Sequence, residues 1–206
     1  MRVTVFKNDL PDDFDLSGDL AIDTETMGLM LHRDRLCVLQ ISTGDGDACL
    51  VQFDGKDYSA PNLKKILLDE NRCKIFHFAR FDLAAIKKYL ELDLTNIFCT
   101  KIASKLVRTY TGHHGLKDLC KEYLGVTLSK QQQSSYWGTK DLSSHQKAYA
   151  ASDVVYLHSL RAILVERLID TGRTEIAHKL FEFLPTRANL DLIGWNEIDI
   201  FSHMST

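Results

Sequence analysis

Leu20-Ala21-Ile22-Asp23-Thr24-Glu25-Thr26-Met27-Gly28 is the stretch that decides the fold. Its three leading apolar residues read as a strand that runs out at Asp23 into a loop holding Gly28. Residues two apart on a strand point the same way, so Asp23 and Glu25 present their carboxylates side by side. Such a pair repels itself, and a fold seldom builds one without a cation to neutralise it.

Working outward, Val3 to Phe6 reads as an earlier strand, and Leu36-Cys37-Val38-Leu39-Gln40-Ile41-Ser42 as a strongly apolar later one. Asp45-Gly46 is a hairpin-type turn signal, and Ala48 to Phe53 is the next strand. Three successive strands joined by short connections make an antiparallel meander. The period then changes. A short helix over Asn62 to Leu68 follows Pro61. Strands at Lys74 to Phe78 and Asn96 to Cys99 alternate with helices at Phe81 to Leu92, Lys101 to Tyr110 and Leu116 to Leu124, the last stopped by Gly125. Ser129 to Lys140 shows no period and reads as a functional loop, since Tyr136 and Trp137 need burial or a ligand to stack on. Ser143 or Ser144 caps a long helix reaching Ile169, and residues 174–184 are helical up to Pro185. The sum is a mixed sheet covered by helices, an α/β or α+β layer architecture in one domain of residues 1–206.

Composition narrows the class. Hydrophobic content is 45% and charged content 26%, ordinary for a globular protein. No apolar run approaches the roughly 18 residues that span a membrane, and the N-terminus is too polar for a signal peptide. The five cysteines include no Cys-x-x-Cys pair, which suggests buried thiols in a reducing, cytoplasmic compartment rather than disulfides or a zinc site. A net charge of −3 argues against coating long nucleic acid. It leaves room for a small anionic ligand offset by bound metal.

Two further carboxylates join the first pair: Asp82, just after an apolar strand, and Asp153, four residues past Tyr149. With 20 Asp and 7 Tyr in 206 residues, roughly 0.7 Tyr-x-x-x-Asp matches are expected by chance, so the force lies in the conjunction. Hard oxygen ligands without matching His or Cys point to Mg²⁺ or Mn²⁺. Two such ions can clamp an in-line phosphoryl displacement. Asp23 is expected to bridge both, Glu25 and Asp153 to complete the first, and Asp82 to hold the second directly or through water. Tyr149 and Asp153 share a helix face, which suits the phenol to orienting the attacking water. The alternative is a core tyrosine whose hydroxyl meets a backbone partner.

Asp23-Thr24-Glu25, Asp82 in His77-Phe78-Ala79-Arg80-Phe81-Asp82, and Tyr149-Ala150-Ala151-Ser152-Asp153 resemble the three motifs of the DEDD 3′–5′ exonucleases, tyrosine subtype. Gly115-Leu116-Lys117-Asp118-Leu119 and Lys130-x-x-Gln133-x-Ser135-x-Trp137 look like segments of the ribonuclease D-like branch. The likeness covers roughly residues 18–170. It implies a ribonuclease H-like α/β sheet, two divalent ions, and stepwise release of nucleoside 5′-monophosphates from a 3′ end. The chain departs from ribonuclease D in having only 53 residues after Asp153, where that enzyme carries helical nucleic-acid-binding domains. The compact layout is similar to the nanoRNase C enzymes of alphaproteobacteria, which finish very short RNA, dinucleotides such as pGpG in particular.

Substrate contacts are expected from the loop around Thr24, Thr26, Met27 and Leu31. Met27 or Leu31 would wedge against the terminal bases, although Leu29 and Leu31 equally suit covering the core. His77 and Phe78 at a strand end, and Trp137, are expected to line the same cleft. His113, His114, Lys130 and Gln133 are candidates for capping a 5′-phosphate. The apolar tail from Leu180 to Phe201, part of a helical segment over 174–206, either folds back or forms a subunit interface. The resemblance implies a homo-oligomer, with a ring that narrows access as one form. Competing functions are a general exonuclease on longer RNA or DNA, and a non-catalytic nucleotide-binding module. The second is disfavoured because all five motif positions keep their reactive side chains.

Overall fold

The computed structural model describes residues 1–14, 16–129, 131–132 and 134–203. Six strands form one sheet: β1 (Val3–Lys7), β2 (Leu20–Thr26), β3 (Leu36–Ser42), β4 (Ala48–Gln52), β5 (Lys74–Phe76) and β6 (Ile97–Cys99). Their spatial order is β1-β4-β3-β2-β5-β6. β2, β3 and β4 make the expected antiparallel meander, while β5 and β6 add in parallel on the other side of β2. β1 pairs in parallel with β4 at the far edge. Every residue of β3 is buried, as its unbroken apolar run requires of a strand covered on both faces. β2 continues through Thr26, so Asp23 and Glu25 lie within the strand and not at its exit, and a register irregularity falls between Glu25 and Thr26.

Among the described residues, seven α-helices cover the sheet: α1 (Pro61–Leu67), α2 (Ala79–Leu90), α3 (Thr100–Val107), α4 (Leu116–Leu119), α5 (Ser144–Ser152), α6 (Leu157–Asp170) and α7 (Thr174–Leu190). Pro61 occupies the first turn of α1, where its missing N–H is no loss. Gly125, at φ 68°, ends the π-helical turn that extends α4. No helix among the described residues is long and apolar enough to cross a membrane.

Three expectations need correction, each with a consequence for the site. α2 begins at Ala79, so Asp82 rides on the first turn of a helix. The single long helix expected from residue 143 to 169 is two. α5 starts with a reciprocal cap, Ser143 Oγ accepting from Gln146 N–H at 3.2 Å and Gln146 Oε1 accepting from Ser143 N–H at 3.0 Å. Near its end Ser152 Oγ donates to the Tyr149 carbonyl at 2.7 Å, a local bond of the kind that weakens or bends a helix. Asp153 caps the C-terminus of α5. α7 runs through Pro185 instead of stopping there. An interior proline costs about 3 kcal/mol, and burial of Phe181 and Leu184, at about 1.5–3 kcal/mol each, offsets it. Phe181 packs on Phe98 of β6 at 4.8 Å, so α7 is part of the core, while Ile193, Trp195, Ile198, Ile200 and Phe201 beyond it are exposed.

Candidate active site

Three elements deliver four carboxylates to one cleft. β2 supplies Asp23 and Glu25, the first turn of α2 supplies Asp82, and the end of α5 supplies Tyr149 and Asp153; all five line a cavity of about 920 Å³. Oxygens from Asp23, Glu25 and Asp153 lie within 4.8 Å of one another. Asp82 is outside that trio yet is the carboxylate that acts most strongly on Asp23, and its Oδ1 accepts from Thr24 N–H at 3.0 Å and from Thr24 Oγ1 at 2.6 Å. Asp23 Oδ2 accepts from Gln40 Nε2 at 2.9 Å, Gln40 being its partner across the β2–β3 ladder. Gln40 Oε1 is buried without a partner.

The electrostatics follow from crowding like charges away from water. Burial first, then the neighbouring carboxylates, push Asp23 well above its usual range and Glu25 up to about 9. Burial raises Asp82 to about 7 against the opposing Thr24 bonds, and Asp153 to about 7 against a hydrogen bond from the Tyr149 phenol. Burial and the same carboxylates raise Tyr149 above its ordinary value, so it keeps its proton at neutral pH. Burial, with Lys101 nearby, depresses His77 to about 3 and leaves it neutral. A set of hard oxygen donors held partly protonated for want of positive charge fits a divalent cation, with Asp23, Glu25 and Asp153 as the compact triad and Asp82 beside it.

The remaining candidates divide. His77 and Phe78 line the cleft, Phe78 holding φ 71° and carrying Lys101 Nζ 4.2 Å above its ring. His77 Nδ1 meets Thr100 Oγ1 at 2.9 Å. Thr24 and Thr26 line the cleft, but Thr24 is committed to Asp82 and the Thr26 hydroxyl donates to the Gly28 carbonyl. Trp137 is 2% exposed and packs 6.1 Å from the Tyr149 ring, so it supports the tyrosine instead of offering an open stacking face. Met27 lines the cleft where two loops touch: a Cβ on Gly138 would fall 2.5 Å from Met27 Sδ.

Leu31 lies outside the cleft against the core, because the chain turns back between Met30 and Asp34; the cleft residue is Leu29, 85% exposed. His113 and His114 are also outside its lining. His114 Nδ1 pairs with Ser104 Oγ at 2.9 Å, and the His113 carbonyl accepts from Arg108. Lys130 and Gln133 lie outside the described residues. Sequence reasoning missed Gln40, Lys101 and Lys117. Gln40 carried a legible signal as a polar residue inside an apolar strand. Lys101, in the first turn of α3, follows another apolar strand, as Asp82 does.

The 3′–5′ exonuclease family profile matches residues 8–169. Ribonuclease D of Jannaschia sp. is 30% identical over 175 residues, 84% of this chain and 44% of that protein. The chain spans less than half the length of the curated relatives it matches. Structures of NrnC from Brucella melitensis cover 99% of this chain and 100% of theirs. One, bound to pGG, is 53% identical with a TM-score of 0.94, and another, with bound Mg²⁺, is 52% identical at 0.93. Ribonuclease D of Escherichia coli, described as an exoribonuclease involved in structured RNA processing, is 26% identical over 82% of this chain and 44% of its own, with a TM-score of 0.73.

Proposed function

We propose that this chain, which belongs to the 3′–5′ exonuclease family and to its ribonuclease D-like branch, hydrolyses very short RNA, dinucleotides above all, to nucleoside 5′-monophosphates. The observation that carries the reading is the convergence of Asp23, Glu25, Asp82 and Asp153 in one cleft. The end-to-end likeness to a nuclease bound to pGG supports the substrate.

A pair of divalent cations, Mg²⁺ or Mn²⁺, bound there supplies Lewis-acid stabilisation of the phosphoryl charge and a more acidic water. The protein does the rest. Asp23, held by Gln40, and Glu25 and Asp153 form the ligand set, with Asp82 fixed by Thr24. Tyr149 orients the attacking water; its retained proton is given to Asp153, so its oxygen is left to accept from the water and it does not act as a base. Trp137 keeps the phenol in place. Lys101 and Lys117, cationic side chains on the cleft wall, balance a phosphate. Leu29 and Met27 offer apolar surface to the bases. Five buried, unpaired cysteines support a cytoplasmic setting. The exposed apolar residues beyond α7 support a homo-oligomer.

A second reading, a general exonuclease on longer RNA or DNA, is favoured by the likeness to ribonuclease D. A ladder of 5′-labelled RNAs from two to twenty residues separates the two. Preferential loss of the dimer supports the first reading, and efficient shortening of the 20-mer supports the second.

A further inference from the structure

The first turn of α2 carries Asp82, and the N-cap residue's own side chain does not cap it. Its N-cap, Phe78, sits in the left-handed region at φ 71° and makes no side-chain cap bond. An uncapped helix end leaves donors unsatisfied and frays. Two clamps hold this one. On the sheet side, Thr24 bonds Asp82 through its N–H and its hydroxyl. Two residues earlier, and so on the other side of the helix, Arg80 reaches the C-terminal segment. Its Nε and Nη2 donate to Asp191 Oδ2 and Oδ1 at 2.5 and 2.6 Å, a bidentate fork.

Asp191 is itself well placed to be an anchor. Its side chain is 6% exposed, and Arg187, one turn back on α7, adds a second cation at 3.2 Å. Both arginines also bind the turn beyond it: Arg80 Nη2 donates to the Asn196 carbonyl at 2.8 Å and Arg187 Nη2 to the Trp195 carbonyl at 3.1 Å. Asp191 is buried while Arg80 is partly exposed, so breaking the fork leaves a buried carboxylate with fewer partners, which is costly.

We propose that Asp191 is a positioning residue for the acidic cleft, holding the first turn of α2, and through it Asp82, by way of Arg80. The inference rests on the reading of the cleft as a divalent-metal site. It gives the C-terminal segment a part in building that site, apart from any role between subunits.

The test is Mn²⁺ binding to the full chain, followed by electron paramagnetic resonance without substrate and well below the melting temperature. Asp191→Asn and Arg80→Gln should each weaken Mn²⁺ binding roughly five- to tenfold, at or below the low end of what losing a supporting partner costs. Asp191→Glu, which keeps the charge, should stay within about twofold of wild type. The Arg80→Gln/Asp191→Asn double variant should lose no more than either single, since both break the same contact. Wild-type Mn²⁺ affinity in a folded Asp191→Asn protein, even with a lowered melting temperature, overturns the proposal. Should that variant fail to fold, Arg80→Lys decides, because it keeps the charge and loses the fork: weakened binding supports the proposal and unchanged binding overturns it. Absence of Mn²⁺ uptake by the wild type overturns the metal reading itself, an outcome distinct from equal uptake by wild type and variant.

Discussion

Gln40 Nε2 donates to Asp23 Oδ2 across 2.9 Å, from the strand position directly opposite it in the ladder. This bond occupies one oxygen of the Asp23 carboxylate, which lies close to those of Glu25 and Asp153. Gln40→Leu removes the donor and lets the Asp23 side chain turn. The expected outcome is a rise of about tenfold in the Mg²⁺ needed for half-maximal hydrolysis. A Mg²⁺ titration of dinucleotide turnover checks it.

The crowded carboxylates make stability depend on pH in a stated direction. Glu25 holds its proton to about 9 when folded, against 4.5 for the free side chain, and Asp82 and Asp153 to about 7 against 3.8. Between those limits the metal-free folded state binds more protons than the unfolded chain, so stability is lost as pH rises. In EDTA the melting temperature should fall from pH 5 to pH 9, by roughly 5–10 °C. Mg²⁺ binds the ionised carboxylates, so its stabilisation should be larger at pH 8 than at pH 6. Thermal melts across that range with and without Mg²⁺ test both signs.

Tyr149 is held protonated by its neighbours. Tyr149→Phe should lower kcat by about 10- to 100-fold, toward the lower end of what a positioned proton-bearing group contributes. Mn²⁺ affinity should stay unchanged. The wild-type rate profile should show no phenol ionisation up to pH 10. A kcat measurement paired with metal titration separates this from loss of a ligand.

Two leucines two residues apart should behave in opposite ways. Leu29→Ala removes an exposed cleft side chain and should leave the melting temperature within about 1 °C while raising KM for the dinucleotide. Leu31→Ala removes a partly buried side chain packed on the core and should cost about 1–2 kcal/mol of stability with KM unchanged. Denaturant melts and steady-state kinetics on both variants provide the comparison.

Much of this architecture is legible in the residues. β3 begins and ends where its apolar run does, and the change from period two to period 3.6 after Phe53 marks where helices begin to cover the sheet. The carboxylate quartet was visible because each member sits next to an apolar segment that places it. What stayed hidden depends on contacts between distant segments. Strand register, which sets Gln40 against Asp23, is invisible until the meander pairs. The break after Ser152 has no sequence marker such as Gly or Pro at that point, so the helix reads as continuous. α7 passes through Pro185 because tertiary burial outweighs a local penalty. Leu29, and not Leu31, lines the cleft, since the chain turns back between Met30 and Asp34.

The account stands or falls on whether these acidic groups receive a cation. An anomalous difference map from crystals soaked in Mn²⁺ measures that directly. The predicted result is a peak within bonding distance of Asp23, Glu25 and Asp153, with a second near Asp82. A map without a peak in this cleft, at an occupancy where other Mn²⁺ sites are seen, would contradict it.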